Sequence, residues 1–198
     1  MTTPKTTGQL LHHVLDDLAT VVERIDDQQL HNPTPCTDYD VEALRNHIVS
    51  WLTSFATGTA DPDGRTADVD SYRPSGHPAA EVRRAAEQFD EGLAAGAAER
   101  PLWIGENSMP GELALGMILW EYQVHGWDLA RATGQPWTPP AGAAEQSLRF
   151  APGMLTPDYQ GPGKAFADPV PAPDDAPTFD QLLGVSGRDP GWRPSAVG

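Results

Sequence analysis

Apolar residues recur at three- and four-residue intervals over four long segments of the chain, the spacing that gives a helix one buried face. The first predicted helix covers Gln9 to Asp27. The second begins after Asp40, a good N-cap residue, and ends at Gly58, which we expect to terminate it as a C′ glycine. The third covers Ala79 to Ala95.

The fourth segment carries the clearest signals of where a helix begins and ends. Pro110 lies in its first turn, where the missing N–H costs nothing, and Glu112 suits the positive end of the helix dipole. Arg131 and then Gly134 mark the opposite end. Four helices of this length, with connections able to fold back, predict an all-α protein built on an antiparallel four-helix bundle.

The chain has 20 prolines and 19 glycines, which cluster between the helical segments and in the C-terminal fifth. A short fifth helix is predicted at Ala141–Phe150 and one more helical turn near Thr178–Leu183, while no segment alternates convincingly as a strand. We therefore expect residues 1–150 to form the bundle. Residues 151–198 are expected to form a proline-rich, partly helical extension packed on it.

The charge balance excludes several classes of partner. The chain of 198 residues has 28 acidic and 13 basic residues, a formal net charge of −15, which argues against binding to nucleic acid or to an anionic membrane surface. No stretch approaches the roughly 20 apolar residues that cross a bilayer. Cys36 is the only cysteine and the N-terminus shows no signal-peptide pattern, so we expect a cytoplasmic protein without disulfides.

Polar residues on the fourth helix collect on one otherwise apolar strip. Glu121, His125 and Asp128 lie within about 60° of one another on a helical wheel. Glu121 and His125 have the i, i+4 spacing of helix-borne metal ligands, but an ordinary hydrogen-bonded core pair has the same spacing. Asp128 either orients a ligand imidazole or helps position substrate, or forms a plain salt bridge, for which Arg131 is available.

A third candidate ligand lies on the second helix. His47 shares a face with apolar residues and, like Glu121, is far from the ends of its helix. Facing helices pack about 8–10 Å apart, a gap that inward-pointing side chains can bridge to a common ion. His47, Glu121 and His125 would leave a coordination position open for water or substrate, as catalytic sites do.

Two stretches support a family resemblance. The second-helix region reads PTPCTDYDVEALRNHIVSW and the fourth reads WEYQVHGWDLARATGQPW. Both resemble the mycothiol-dependent maleylpyruvate isomerase N-terminal family, a branch of the DinB-like superfamily. The C-terminal FADPVPAPDDAPTFDQLLGVSGRDPGW is similar to the ending of a group of actinobacterial metal-binding proteins of similar length. The resemblance implies a DinB-like bundle with a divalent metal, most often zinc, held by His47, Glu121 and His125.

The resemblance also implies a class of chemistry. Enzymes of this kind use a low-molecular-weight thiol, such as mycothiol, for S-transfer to a small electrophile or for its isomerisation. Where the isomerase has a further C-terminal α/β domain, this chain has a short proline-rich tail, so maleylpyruvate is not implied as the substrate. The alternatives are a metal-binding protein without turnover, in a ligand-binding or accessory role, and a biosynthetic enzyme on the same scaffold. A homodimer would be compatible with an apolar patch left by the tail.

Several other residues are candidates for the same site. Cys36 is interpreted as a buried turn cysteine in preference to a nucleophile. Arg45, Arg83 and Arg84 are the arginines available to bind an anionic substrate, but each is interpreted as a solvated surface charge in preference to that role. Aromatic residues are expected to line the pocket or the core: Trp51, Trp120 and Trp127.

Overall fold

A computed structural model describes residues 5–162, 164 and 166–194 of the chain. It is mostly helical, with six α-helices and one two-stranded sheet among the described residues. The elements are α1 (Thr7–Glu23), α2 (Val41–Ala60), α3 (Pro78–Ala94), β1 (Leu102–Ile104), β2 (Asn107–Met109), α4 (Gly111–Thr133), α5 (Ala143–Met154) and α6 (Thr178–Val185). All of these helices are too short or too polar to span a bilayer.

Side-chain caps occupy free backbone N–H groups at the start of α1 and α2. The Thr6 side chain accepts from the Gln9 N–H while Gln9 returns a bond to the Thr6 N–H, forming a capping box that starts α1. The Asp40 carboxylate accepts from the Ala43 N–H and starts α2 as predicted. Helix α4 follows Pro110 and ends at Gly134, whose positive φ of 70° closes the last turn.

The predicted ends of α1, α2 and α5 were wrong. Helix α5, expected to end at Phe150, continues to Met154. Helix α1 stops at Glu23, four residues before Asp27, because Asp26 caps a separate single 3-10 turn. Helix α2 runs through Gly58 to Ala60. A Cβ atom on Gly58 would lie 2.8 Å from Leu102 of β1, so this glycine permits the close approach of the hairpin and does not end the helix.

The β1–β2 hairpin was not predicted from the sequence. Leu102 pairs with Met109 and Ile104 with Asn107 around a turn that contains Gly105, with φ of 60°. Each strand has only three residues, too few for an alternating pattern to show. The hairpin places Ile104 beside the cavity described below.

Helix α4 is buried on nearly its whole circumference because it lies between two apolar clusters. On one side it packs with α1 and α2 in the main core, through residues such as Ile118 and Leu129. On the other side Trp120 packs with α5, α6 and the C-terminal residues. Helix α5 spans residue 150, at which we expect the boundary between bundle and extension.

Candidate metal centre

His47 on α2 and Glu121 and His125 on α4 come together in the structure. One ligand atom from each of the three residues lies within 4.8 Å of the other two. His47 Nε2 is 3.9 Å from Glu121 Oε1, and the two imidazole rings are 5.4 Å apart between centroids, nearly perpendicular. The side chains are 23%, 22% and 13% exposed, so they are largely withdrawn from solvent but reachable.

The electrostatics of these three residues favour a cation between them. Burial, with the nearby His125, lowers the pKa of His47 to about 4, so this imidazole is neutral and its ring nitrogen is free to act as a ligand. Burial raises the pKa of Glu121, and the nearby His125 offsets this rise only in part. Among the described residues, Glu121 accepts no hydrogen bond, and its only ionic contact is with His47. Two imidazole nitrogens and a carboxylate oxygen therefore fit a divalent metal with an open coordination position.

The imidazole of His125 is held from behind by a buried ion pair. Asp128 Oδ2 lies 3.1 Å from His125 Nδ1, and Arg188 Nε donates to Asp128 Oδ1 over 3.0 Å. Because an ionised carboxylate only accepts hydrogen bonds, this contact places the His125 proton on Nδ1 and leaves Nε2 for a metal. Asp128 makes both of the contacts considered for it, one with an imidazole and one in a salt bridge. The partner in the salt bridge is Arg188, however, and not Arg131.

Tyr39 holds the other imidazole. Its hydroxyl oxygen is 3.3 Å from His47 Nδ1, and the two rings are tilted against each other at 4.9 Å between centroids. If His47 Nδ1 donates to the hydroxyl oxygen, Nε2 is left with a lone pair facing Glu121. Sequence reasoning did not single out Tyr39, although its position just before the helix cap is a signal that it faces the first turns of α2.

Local packing explains the HGWD sequence around His125. A Cβ atom on Gly126 would overlap the indole ring of Trp137, whose Nε1 donates to the Gln123 carbonyl over 3.0 Å. Trp127 packs against the Arg131 guanidinium, 5.6 Å from its ring centroid. Gly126 thus lets the segment after α4 fold back closely against the turn that carries His125.

The three candidate ligands lie on the wall of a cavity of about 680 Å³. Its walls come from α2, α4, Ile104 of β1, the turn at 35–39 and two pieces of the C-terminal segment, namely residues 161–162, 164 and 166–168, and residues 186–188. Of the three tryptophans expected in the pocket or the core, Trp51 and Trp120 line the cavity, and Trp127 packs in the second apolar cluster. The volume is within the range of about 300–1,000 Å³ found for small-molecule sites.

Cys36 also lines the cavity, half-buried. Burial raises the pKa of its thiol to about 11, so it is protonated at neutral pH and poorly nucleophilic. It lies with His125 and Asp128 in a second group of possible ligand atoms within 4.8 Å. Because Arg188 already pairs with Asp128, a cation there would meet a positive charge, so the set with His47 is the better metal site.

The three arginines considered as anion-binding groups lie outside the cavity lining. Arg83 pairs with Glu23 on the surface, Arg84 is exposed, and Arg45 lies 3.9 Å from Glu42. The described cationic side chains on the cavity wall are instead Lys164 and Arg188. No local sequence pattern predicts that these two residues line the cavity, because each follows a proline- or glycine-rich stretch of the tail.

Comparison of the sequence with known proteins assigns the chain to a family. The sequence model of one family, the mycothiol maleylpyruvate isomerase N-terminal domain, matches residues 11–130, which include His47, Glu121 and His125. The chain belongs to this family. Two relatives from Mycobacterium tuberculosis, the uncharacterized proteins MT0763 of strain CDC 1551 / Oshkosh and Rv0738 of strain ATCC 25618 / H37Rv, are each 31% identical over 173 residues. The alignments cover 87% of this chain and 92% of each relative. No solved structure matches the chain significantly.

This membership confirms the predicted resemblance and agrees with a DinB-like helical fold. Arg188 and Lys164 lie beyond the matched residues, so part of the cavity wall is built from sequence outside the family domain.

Proposed function

We propose that this protein is a divalent-metal-dependent enzyme of the mycothiol-linked, DinB-like type. It would activate a low-molecular-weight thiol for S-transfer to, or isomerisation of, a small electrophilic substrate. The observation that carries the proposal is the convergence of His47, Glu121 and His125 on the wall of a cavity large enough for a small molecule. We also interpret α1–α4 as the antiparallel four-helix bundle of the DinB-like fold, because the family match covers these helices and they pack on one another.

The donor set supports zinc in a catalytic setting more than in a structural one. Structural zinc sites are usually closed by four protein ligands, whereas catalytic sites have three and leave one position open. Zinc accepts nitrogen and oxygen donors in such a set. When bound, the cation would lower the pKa of a thiol at the open position and so supply a nucleophile at neutral pH.

The protein's own side chains would orient and shield the reactants. Asp128 and Tyr39 fix the two imidazole rings from behind, so the ligand atoms need little reorganisation. Apolar residues on the cavity wall, among them Trp51, Phe55 and Trp120, would exclude water and keep the local dielectric low. The thiol and the substrate would then be held next to each other in one enclosure, which favours reaction between them.

Metal analysis tests the ligand set. We expect the wild-type protein to bind one equivalent of zinc and His47→Ala to lose most of it. His12→Ala is the matched control, because His12 contacts Asp16 and Asp90 on the outside of α1 and α3. Equal stoichiometric zinc in wild type and His47→Ala would show that the ligand set is wrong.

Thermal unfolding of the zinc-loaded protein tests the role of the thiol. A ligand that binds the folded state at about 100 times its Kd stabilises that state by about 2.7 kcal/mol, so millimolar mycothiol should raise the unfolding temperature. The shift should disappear in Glu121→Gln. Zinc binding at the three residues without any shift would instead favour a metal-binding protein without turnover.

A further inference from the structure

The C-terminal segment reaches the proposed metal site through one buried arginine. Arg188 donates from Nε to both oxygens of Asp128, over 3.0 and 3.2 Å, and from Nη2 to Oδ2 over 3.0 Å. Asp128 is fully buried and the Arg188 side chain is 9% exposed. The same carboxylate contacts His125 Nδ1, so Asp128 connects Arg188 of the C-terminal segment to a proposed metal ligand.

Arg188 is itself fixed in place by the segment that carries it. Its Nη1 donates to the Ser186 carbonyl over 3.2 Å, and its backbone N–H donates to the Leu183 carbonyl at the end of α6. The Ser186 hydroxyl accepts from Trp120 Nε1 on α4 over 2.8 Å. The guanidinium therefore has one position when residues 178–188 are packed against α4.

A planar guanidinium that donates to both oxygens of a carboxylate fixes the plane of that carboxylate. The plane of Asp128 determines where its Oδ2 lies, and Oδ2 determines how the His125 ring is turned. Without Arg188, Asp128 could rotate about its side-chain torsions, and the His125 ring would lose its fixed orientation toward His47 and Glu121. Outer contacts of this kind typically change metal affinity by about 10- to 100-fold.

We propose that Arg188 is a positioning residue for the metal site, so that packing of residues 178–188 against α4 and metal binding at His47, Glu121 and His125 strengthen each other. The inference rests on the proposed metal site and adds that the site extends into sequence beyond the matched family domain. Thermodynamic linkage requires the coupling to be reciprocal: the factor by which the packed segment tightens metal binding is the factor by which metal stabilises the packed segment.

The first measurement is zinc affinity, by competition with a chromophoric chelator, in wild type, Arg188→Met and Arg188→Lys. We expect Arg188→Met to bind zinc about 10- to 100-fold more weakly and Arg188→Lys to fall between it and wild type, because an ammonium cannot bind both oxygens in a fixed plane. Arg131→Met is the matched control. Arg131 also anchors the C-terminal residues, by donating to the Pro190 carbonyl, but does not contact Asp128. It should bind zinc as wild type does.

The second measurement is hydrogen exchange of the backbone amides of residues 182–188 with and without zinc. Zinc should slow their exchange in wild type and in Arg131→Met, but not in Arg188→Met. The wild-type measurement needs no variant, so it tests the coupling even if Arg188→Met does not fold. A segment that merely stabilises the fold would be insensitive to zinc.

The outcomes separate the two proposals. If zinc binding depends on His47 but zinc affinity is unchanged in both Arg188 variants, or zinc leaves the exchange of residues 182–188 unaltered, the coupling is refuted and the metal site stands. If His47→Ala binds zinc as well as wild type, the metal site itself is refuted, and the coupling with it.

Discussion

The buried ion pair between Asp128 and Arg188 makes a strong prediction about stability. Asp128→Asn keeps the shape of the side chain but leaves the Arg188 cation without its counter-ion. Asp128 is fully buried and Arg188 is 9% exposed, so solvent cannot replace the lost charge. Breaking a buried pair by removing one partner costs about 3–5 kcal/mol, and we expect a loss of that size in the metal-free protein.

Burial, and not distance, sets this magnitude. The Arg83–Glu23 pair is shorter, at 2.6 Å, but its side chains are 45% and 59% exposed. Arg83→Met should therefore cost less than about 1 kcal/mol. In a domain of this size each kcal/mol shifts the melting temperature by about 2–4 °C, so Asp128→Asn should melt roughly 6–20 °C below wild type.

The assay is urea unfolding followed by circular dichroism in the presence of a chelator, so that metal makes no contribution. The double variant Asp128→Leu/Arg188→Met removes both charges and replaces them with apolar groups. It should be more stable than Asp128→Asn, because well-packed apolar replacements of a buried pair are often neutral. A loss below about 1 kcal/mol in Asp128→Asn, or a double variant no more stable than it, would refute the reasoning.

Three further predictions concern the same region. Tyr39→Phe removes the hydroxyl that contacts His47 Nδ1 but keeps the ring, and should weaken zinc binding by about 10-fold in a chelator competition without changing metal-free stability markedly. Gly126→Ala should cost about 1–3 kcal/mol in urea unfolding by displacing Trp137, with a change in tryptophan fluorescence; an unchanged spectrum would contradict the close packing. In the metal-free protein the pKa of His47 is about 4 in the folded state, against 6.5 in the unfolded state. Between these two values the unfolded state binds a proton at His47 that the folded state does not bind. The contribution of His47 to the free energy of unfolding should therefore decrease by up to roughly 3 kcal/mol as the pH falls from 6.5 to 4. The raised pKa of Glu121 has the opposite effect on stability, so the contribution of His47 is measured as the difference between wild type and His47→Gln in how the free energy of unfolding depends on pH. Parallel curves for the two proteins would contradict this prediction.

Helical periodicity predicted the parts of the site that depend on the faces of single helices. The spacing of Glu121 and His125 places them one turn apart, and the position of His47 within α2 brings it opposite them. These are consequences of helix geometry and of the apolar neighbours that turn each face inward. That they bind a metal stays a prediction, which zinc analysis of His47→Ala tests.

What the sequence did not predict depends on contacts between distant segments. Arg188 lies 60 residues from Asp128, and no spacing rule relates them. Arg131 was the obvious local partner at i+3, but it packs on Trp127 and donates to the Pro190 carbonyl. Gly58 was misinterpreted for the same reason. Its role depends on the hairpin strand that packs against it, and not on its own helix.

The walls of the cavity come from two separate parts of the chain, so the candidate metal ligands and the residues that select a substrate can change independently during evolution. The three candidate ligands lie within the matched family domain, whereas Lys164 and Phe166 belong to the C-terminal segment and line the same space. Replacements at residues 161–162, 164 and 166–168 can therefore alter the shape and charge of the opening while the donor atoms stay where they are. A relative with the same two histidines and glutamate need not accept the same molecule, so comparison of this short segment is the better guide to which members of the family share a substrate.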